Sequence, residues 1–298
     1  MGFQWSREDR TIGEGFLRIA REQIEKSISI ATDDAETPAR RVHEARRRAK
    51  KLRALLRLVR PDFGNYAQEN AFVRDTARGL SAARDIKVAE DTLRELMEWA
   101  GRDAPARQAS PTQAGDEVGG LAVYATRMRE LLARSERWKI TKIDLDTLAE
   151  GLTDTYRQGL EGMQLVAGRP TDIGLHEWRK HAKYHWNQLG LLEACAEDIL
   201  PSAHKAVGDL ADVLGQHHDL AVLRDMAEQS TAVLAGLDQG FVLDAVARRQ
   251  RVLETEIGVL GRQVYAETPK GLHARFLSYL EGWAAQEGAQ AGAQEAAE

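Results

Sequence analysis

"VHEARRRAKKLRALLRLVRP", residues 42–61, holds eight Arg or Lys side chains against a single acid, Glu44. At about 100° per residue, His43, Arg46, Arg47, Lys50 and Arg57 fall on one side of a helix, with Arg53 at the edge. Ala45, Ala49, Leu52, Leu55, Leu56 and Val59 fall on the other. The stretch therefore reads as an amphipathic helix of about four turns, with one face for a core and one a cationic strip. Thr37 and Pro38 suit its N-cap and first helical position, and "RPDFGN" stops it.

The helical period extends outward in both directions. Ile12, Phe16, Ile19 and Ile24 predict a helix within residues 8–31. Residues 66–79 and 81–100 read as two shorter helices with a break near Gly79, and another helix is expected from about Leu121 to Arg137. Between these, residues 101–120 are rich in Gly, Pro, Ala, Ser and Asp and read as a linker. Residues 284–298 read as a frayed, low-complexity tail. No segment alternates as a strand does, so the fold expected is all-α.

The decisive stretch also has a partner. His43-Glu44-Ala45-Arg46-Arg47-Arg48-Ala49-Lys50 aligns with His176-Glu177-Trp178-Arg179-Lys180-His181-Ala182-Lys183, 133 positions later. "LSAARDIKV" at 80–88 aligns with "LGQHHDLAV" at 214–222, 134 positions later. Two separate segments in one register imply two copies of a helical unit, at about 8–138 and 141–283. Each is long enough for a four-helix bundle. In the second copy His176, Arg179, Lys180, Lys183 and Asn187 share a side. Trp178, His181, His185, Leu189 and Leu192 are expected to turn toward the core.

The chain as a whole is net acidic at −5, so the cationic strip is a local choice. Exposed helices usually mix charge signs, and like charges at i, i+4 oppose the helix by a few tenths of a kcal/mol. Arg46, Lys50, Arg53 and Arg57 stack at i, i+4, i+7 and i+11, and the pattern recurs. An absent anion explains this most simply. One phosphate needs only a cation or two, or a helix N-terminus; two long strips suit a long, repetitive polyanion. If the copies pack about a two-fold, the strips face one another across a groove that focuses their field despite the net charge.

A histidine followed by Arg at +3, basic residues at +7 and +8, and an Arg-Leu-rich helix ending in Arg-Pro resembles the CHAD domain, the conserved histidine α-helical domain. "LGQHHDLAVLRD" (214–225) and "LGRQVYAETPKGL" (260–272) are similar to later signatures of that family. The resemblance spans about residues 8–283 and so describes residues 1–283 as one CHAD-like domain. It implies two four-helix bundles with pseudo-two-fold symmetry around a basic central cavity that binds inorganic polyphosphate. Carried over, it marks His43, Arg46, Lys50, Lys51, Arg53 and Arg57 in the first copy, beside Arg47. In the second it marks His176, Arg179, Lys180 and Lys183. Tyr184 and Trp186 stand where Lys51 and Arg53 stand in the first copy, so the second strip is the weaker. As cavity walls, Arg127, Arg134, Arg249, Arg262 and Lys270 become secondary contacts. Partners implied are inorganic polyphosphate, its granules and polyphosphate-metabolising enzymes.

Other chemistries find less support. His181 and His185 have metal spacing (i, i+4), and His217, His218 and Asp219 could add ligands, but Arg and Lys neighbours repel a divalent cation, and neither metal nor cofactor is expected. No phosphate-binding loop, nucleophile elbow or cysteine–histidine pairing is present, so non-catalytic binding is expected. A nucleic-acid binder using the same strips is the alternative, and a histidine phosphocarrier or polyphosphate-processing enzyme is a more distant one. The single cysteine, Cys195, the lack of a signal-peptide core and the lack of an apolar run of about 20 residues point to a cytoplasmic protein off the membrane.

Overall fold

The computed structural model describes residues 3–6, 8–80, 84–103, 114–229, 234 and 236–295. Among them are ten α-helices and no strand: α1 (Ile12–Ala31), α2 (Pro38–Leu58), α3 (Tyr66–Arg78), α4 (Arg84–Trp99) and α5 (Ala114–Ser135), then α6 (Leu145–Val166), α7 (Asp172–Leu192), α8 (Leu200–Gln229), α9 (Gln239–Val264) and α10 (Pro269–Glu295).

Local chemistry sets many of these boundaries. Thr11 Oγ1 accepts from the Glu14 amide at 3.1 Å to open α1, satisfying one of the donors a helix start leaves over. Asp144 and Thr147 cap each other at the start of α6, and Thr171 accepts from the Gly174 amide at 3.1 Å at the start of α7. Thr37 caps α2 by position only, without a side-chain hydrogen bond, and Pro38 supplies the preset backbone angle.

Two expectations need correcting. α5 begins at Ala114, so the last part of the linker-like segment is helical; residues 104–113 lie outside the described residues. Gly120 serves a close approach, since a Cβ there would lie 3.3 Å from the Gly79 carbonyl oxygen. The tail does not fray at residue 284, because α10 continues to Glu295.

Helix starts recur at a near-constant spacing: 12 and 145, 38 and 172, 66 and 200. The broken pair α3–α4 occupies the register of the single long α8. α2 is the hub, packing on α1, α3, α5, α6 and α7, while α7 packs on α2, α6 and α8. α4 crosses over to pack on α8 and α9. Leu52, Leu55 and Leu56 of α2 are buried, as the helical wheel requires, and so are Trp178, Leu189 and Leu192 of α7; Leu58, on the cationic side of the wheel, is buried as well. Phe16, Phe63 and Trp138 close the space beside α2, with ring centroids 5.1 to 5.7 Å apart. α6 approaches α2 so closely that a Cβ on Gly151 would collide with the Leu58 carbonyl oxygen.

Candidate polyanion site on helices α2 and α7

With its apolar face committed to the core, α2 turns its cations toward α3 and α7. Arg46 Nη1 donates to the Ala77 carbonyl at 3.4 Å, and Arg53 Nε to Asn70 Oδ1 at 3.0 Å. Both of these acceptors lie on α3 and are neutral. Arg53 and Arg57 both stack on the buried ring of Tyr184 from α7, 5.5 and 4.3 Å from its centroid. Arg57 Nε is buried without a hydrogen bond among the described residues. His43 and Lys50 are exposed, and Arg47, also exposed, pairs with Glu44 at 2.6 Å.

Burial, and after it neighbouring cations, shift the titration of these groups. Burial draws Lys51 below its ordinary value, and Arg48, Arg47 and Lys26 draw it down further. Its ammonium rests 4.7 Å above the Phe3 ring, a contact that tolerates a cation without neutralising it. Burial likewise lowers Arg53.

The strip on α7 is built differently. Lys180 pairs with Glu177 at 2.6 Å and Lys183 with Asp212 of α8 at 2.8 Å. The Arg179 guanidinium lies over Gly215 of α8, where a Cβ would sit 3.4 Å from its Nε. His176 stacks on His218 of α8 with centroids 4.2 Å apart. Burial first, then His218, Lys180 and Arg179, push His176 down to about 4. Asn187 is buried, bonded to the Lys183 carbonyl at 2.7 Å.

The two helices meet where Gln188 Nε2 donates to the Ala54 carbonyl at 3.2 Å. Beside this crossing a cleft of about 690 Å³ is lined by Arg57, Arg60, Tyr66, Glu177, Trp178 and His181, among others. His181 therefore does not turn into the apolar core as the wheel predicted. It lines the cleft, where burial and Arg57 hold its imidazole below the usual range. His185 does turn inward and is buried, edge-on to Tyr156 at 5.5 Å.

Secondary residues divide. Arg127 donates to Thr76 at 2.8 Å, and Arg134 pairs with the buried Glu69 at 2.6 Å. Both stack on Phe72 at 4.4 Å, fastening α5 to α3. Arg249 reaches Gln216 of α8 at 3.2 Å and lies over Trp99 of α4. Arg262 lines a separate, mostly apolar pocket of about 340 Å³ with Met163, Trp178 and Ile257. Lys270 is exposed in the first turn of α10, which packs on α6. Among the described residues, no three His, Cys, Asp or Glu side chains gather to hold a metal ion.

Sequence reasoning read Tyr184 as a lost cation and missed it as a platform for two arginines. It noted His218 only as a metal-ligand candidate. For Tyr184 the available signal was its aromatic ring in the register of a basic strip; for His218, the histidine doublet at 217–218.

Helices alone, packed around the buried leucines of α2, define an all-α protein. The family comparison agrees and is specific: the CHAD domain matches residues 17–228, and the chain belongs to that family. The match takes in α2, α7 and nearly all of α8 and stops short of α9 and α10. No curated protein matches the sequence. Among the described residues, no helix is long and apolar enough to cross a membrane.

Proposed function

We propose that this protein binds inorganic polyphosphate non-covalently, without turning it over, in a basic cavity between two four-helix bundles related by a pseudo-two-fold. The observation that carries the reading is the meeting of Arg53 and Arg57 from α2 with Tyr184 and His181 from α7, with neither arginine in an ion pair among the described residues. An elongated polyanion threading past this crossing relieves a repulsion that the fold otherwise maintains.

Packing supports a shared cavity. α2 touches α3 and α7, α7 touches α8, and α8 touches α4, which follows α3 in the chain. These packed neighbours run from α3 through α2, α7 and α8 to α4, a path along which a shared cavity is read. The pseudo-two-fold is supported by the contact of Ala54 with Gln188, which are counterparts within one position under the sequence repeat. Helices that cross on such an axis touch at equivalent residues.

Arg side chains offer phosphate two parallel donors and Lys a point charge. Neutralising the chain also releases its counterions, by analogy with other phosphate polyanions. Binding is therefore expected to weaken steeply with salt and to strengthen with chain length. The test is a calorimetric titration with long-chain polyphosphate in the presence and absence of charge-matched DNA. Tight binding that DNA does not displace supports the reading. Salt-independent binding, or displacement by DNA at equal charge, defeats it, the latter in favour of nucleic acid.

A further inference from the structure

His176 and His218 have an arrangement that the binding reading alone does not require. Their rings overlap at 4.2 Å with planes 35° apart, and His176 Nδ1 is buried without a hydrogen bond. Two imidazoles in this contact cannot both be cationic without strong mutual repulsion. The surroundings make even one charge costly. α7 contributes Lys180 and Arg179, whose positive charges oppose protonation of His176 as its partner ring does.

The nearby acids are already engaged. On α7, Glu177 bonds Lys180 at 2.6 Å and Asp172 bonds Arg224 of α8 at 2.9 Å. On α9, Glu254 lies 3.4 Å from His217, the buried neighbour of His218, and Asp172 lies 3.9 Å from that same ring. Asp219 of α8 and Glu90 of α4 have partners of their own, and Asp91 of α4 bonds Arg94 at 2.9 Å. From α2, Arg57 acts on His181, and from α6, Glu161 lines the cleft beside Glu177. Among the described residues no carboxylate is hydrogen-bonded to either stacked ring.

We infer that the His176–His218 pair takes up a proton when polyphosphate binds, so that the site holds its ligand more tightly as the medium acidifies from neutral. This rests on the polyphosphate reading and adds a means of control to it. In the empty site, burial and positive neighbours keep both rings neutral at pH 7. A bound polyanion cancels the field of Arg179 and Lys180 and adds an opposite charge of its own, so the charged imidazole becomes the favoured form. The bound-state pKa then exceeds the empty-state value. Affinity rises as pH falls through the bound-state pKa, by up to about tenfold per pH unit for each proton taken up, and levels off above it.

Calorimetry in buffers of differing ionisation enthalpy measures the proton directly. Long-chain polyphosphate is the probe, because its internal phosphates stay ionised throughout the range. At pH 6.5 the apparent binding enthalpy is expected to change linearly with the ionisation enthalpy of the buffer, with the sign of proton uptake. His176→Asn with His218→Asn is expected to remove most of that slope and to flatten the rise in affinity between pH 7.5 and 6. Equal apparent enthalpies in every buffer, with affinity flat between pH 6 and 7.5, overturn the inference and leave the binding reading intact. An undiminished slope in the double variant overturns it too, by moving the proton to another group. Failure to bind at any pH defeats the binding reading and this inference together.

Discussion

Helices α2 and α7 are both 21 residues long, start 134 positions apart and open their strips with the same His-Glu pair, yet they solve the charge problem differently. α7 has a threonine cap, an acid in its first turn, and carboxylates on Lys180 and Lys183. α2 lacks a side-chain cap and any acid in its first turn, and its Arg53 donates to the neutral Asn70. An α2 built this way is stabilised by its buried leucines and not by its surface. Under the proposed binding, the contrast places affinity mainly on α2, and orientation and protonation mainly on α7.

The sharpest way to break that division is to reverse charge on each helix in turn. Arg46→Glu with Lys50→Glu is expected to weaken polyphosphate binding by about 100-fold or more, since each reversal removes a phosphate contact and adds a repulsion. Lys180→Ala with Lys183→Ala is expected to cost less than about tenfold, because these ammoniums already sit in exposed ion pairs of small worth. Equal losses in a titration at one salt concentration would make the two strips equivalent.

Next in size is the clamp that holds α2 from behind. Gly151→Ala drives a methyl group into the backbone of Leu58, which neither helix can avoid by rotating a side chain. Overpacking of this kind costs about 1–3 kcal/mol or more. Gly64→Ala, with open space around the added carbon, is the control. Urea denaturation of both variants reads the difference, and a Gly151→Ala protein as stable as the control would mean that α6 does not fix α2.

Much of α2 was legible because its wheel has only one solution: the leucines have to be buried, which leaves the cations to face outward. The break near Gly79 was legible for the same local reason. What the sequence hid are facts decided by crossings. His181 lies at a position the wheel sends inward, and it reaches a cleft only because α2 crosses there with Arg57. Arg134 looked like a ligand contact because Glu69, 65 positions earlier, is invisible to any local pattern, although its side chain is only 2% exposed and needs a cation. The helical start of α5 was hidden by a glycine-rich composition that suggested a turn, although Gly120 serves a close contact.

Acid is expected to act on α7 before α2. His176 is held at about 4, and burial together with Arg275 and His204 holds His185 at about 3, against about 6.5 in an unfolded chain. Below that value the unfolded state binds more protons than the folded one, so stability falls as pH drops from 6.5 toward 3 and is unaffected by these groups above 7. His185→Phe is expected to flatten the thermal-melting profile between pH 7 and 5 relative to wild type. An unchanged slope would show that His185 is already protonated when folded.

The smallest expected effect tests whether the division of labour is complete. If α7 only orients what α2 supplies, removing the platform under Arg53 and Arg57 should reduce affinity without removing a charge. A guanidinium over an aromatic face gains about 0.5–1 kcal/mol where solvent reaches it and about 2 when it does not. Tyr184→Leu is therefore expected to weaken polyphosphate binding about fivefold, with the salt slope unchanged because the number of cations is the same. Tyr184→Phe, which keeps the ring and drops the hydroxyl, is expected to bind within about twofold of wild type. The ratio of Leu to Phe variants cancels much of the shared packing loss. If Phe binds as poorly as Leu, then the hydroxyl and not the ring serves the site. Tyr184 would then be a ligand contact in its own right, and α7 would share in the affinity that the comparison gives to α2.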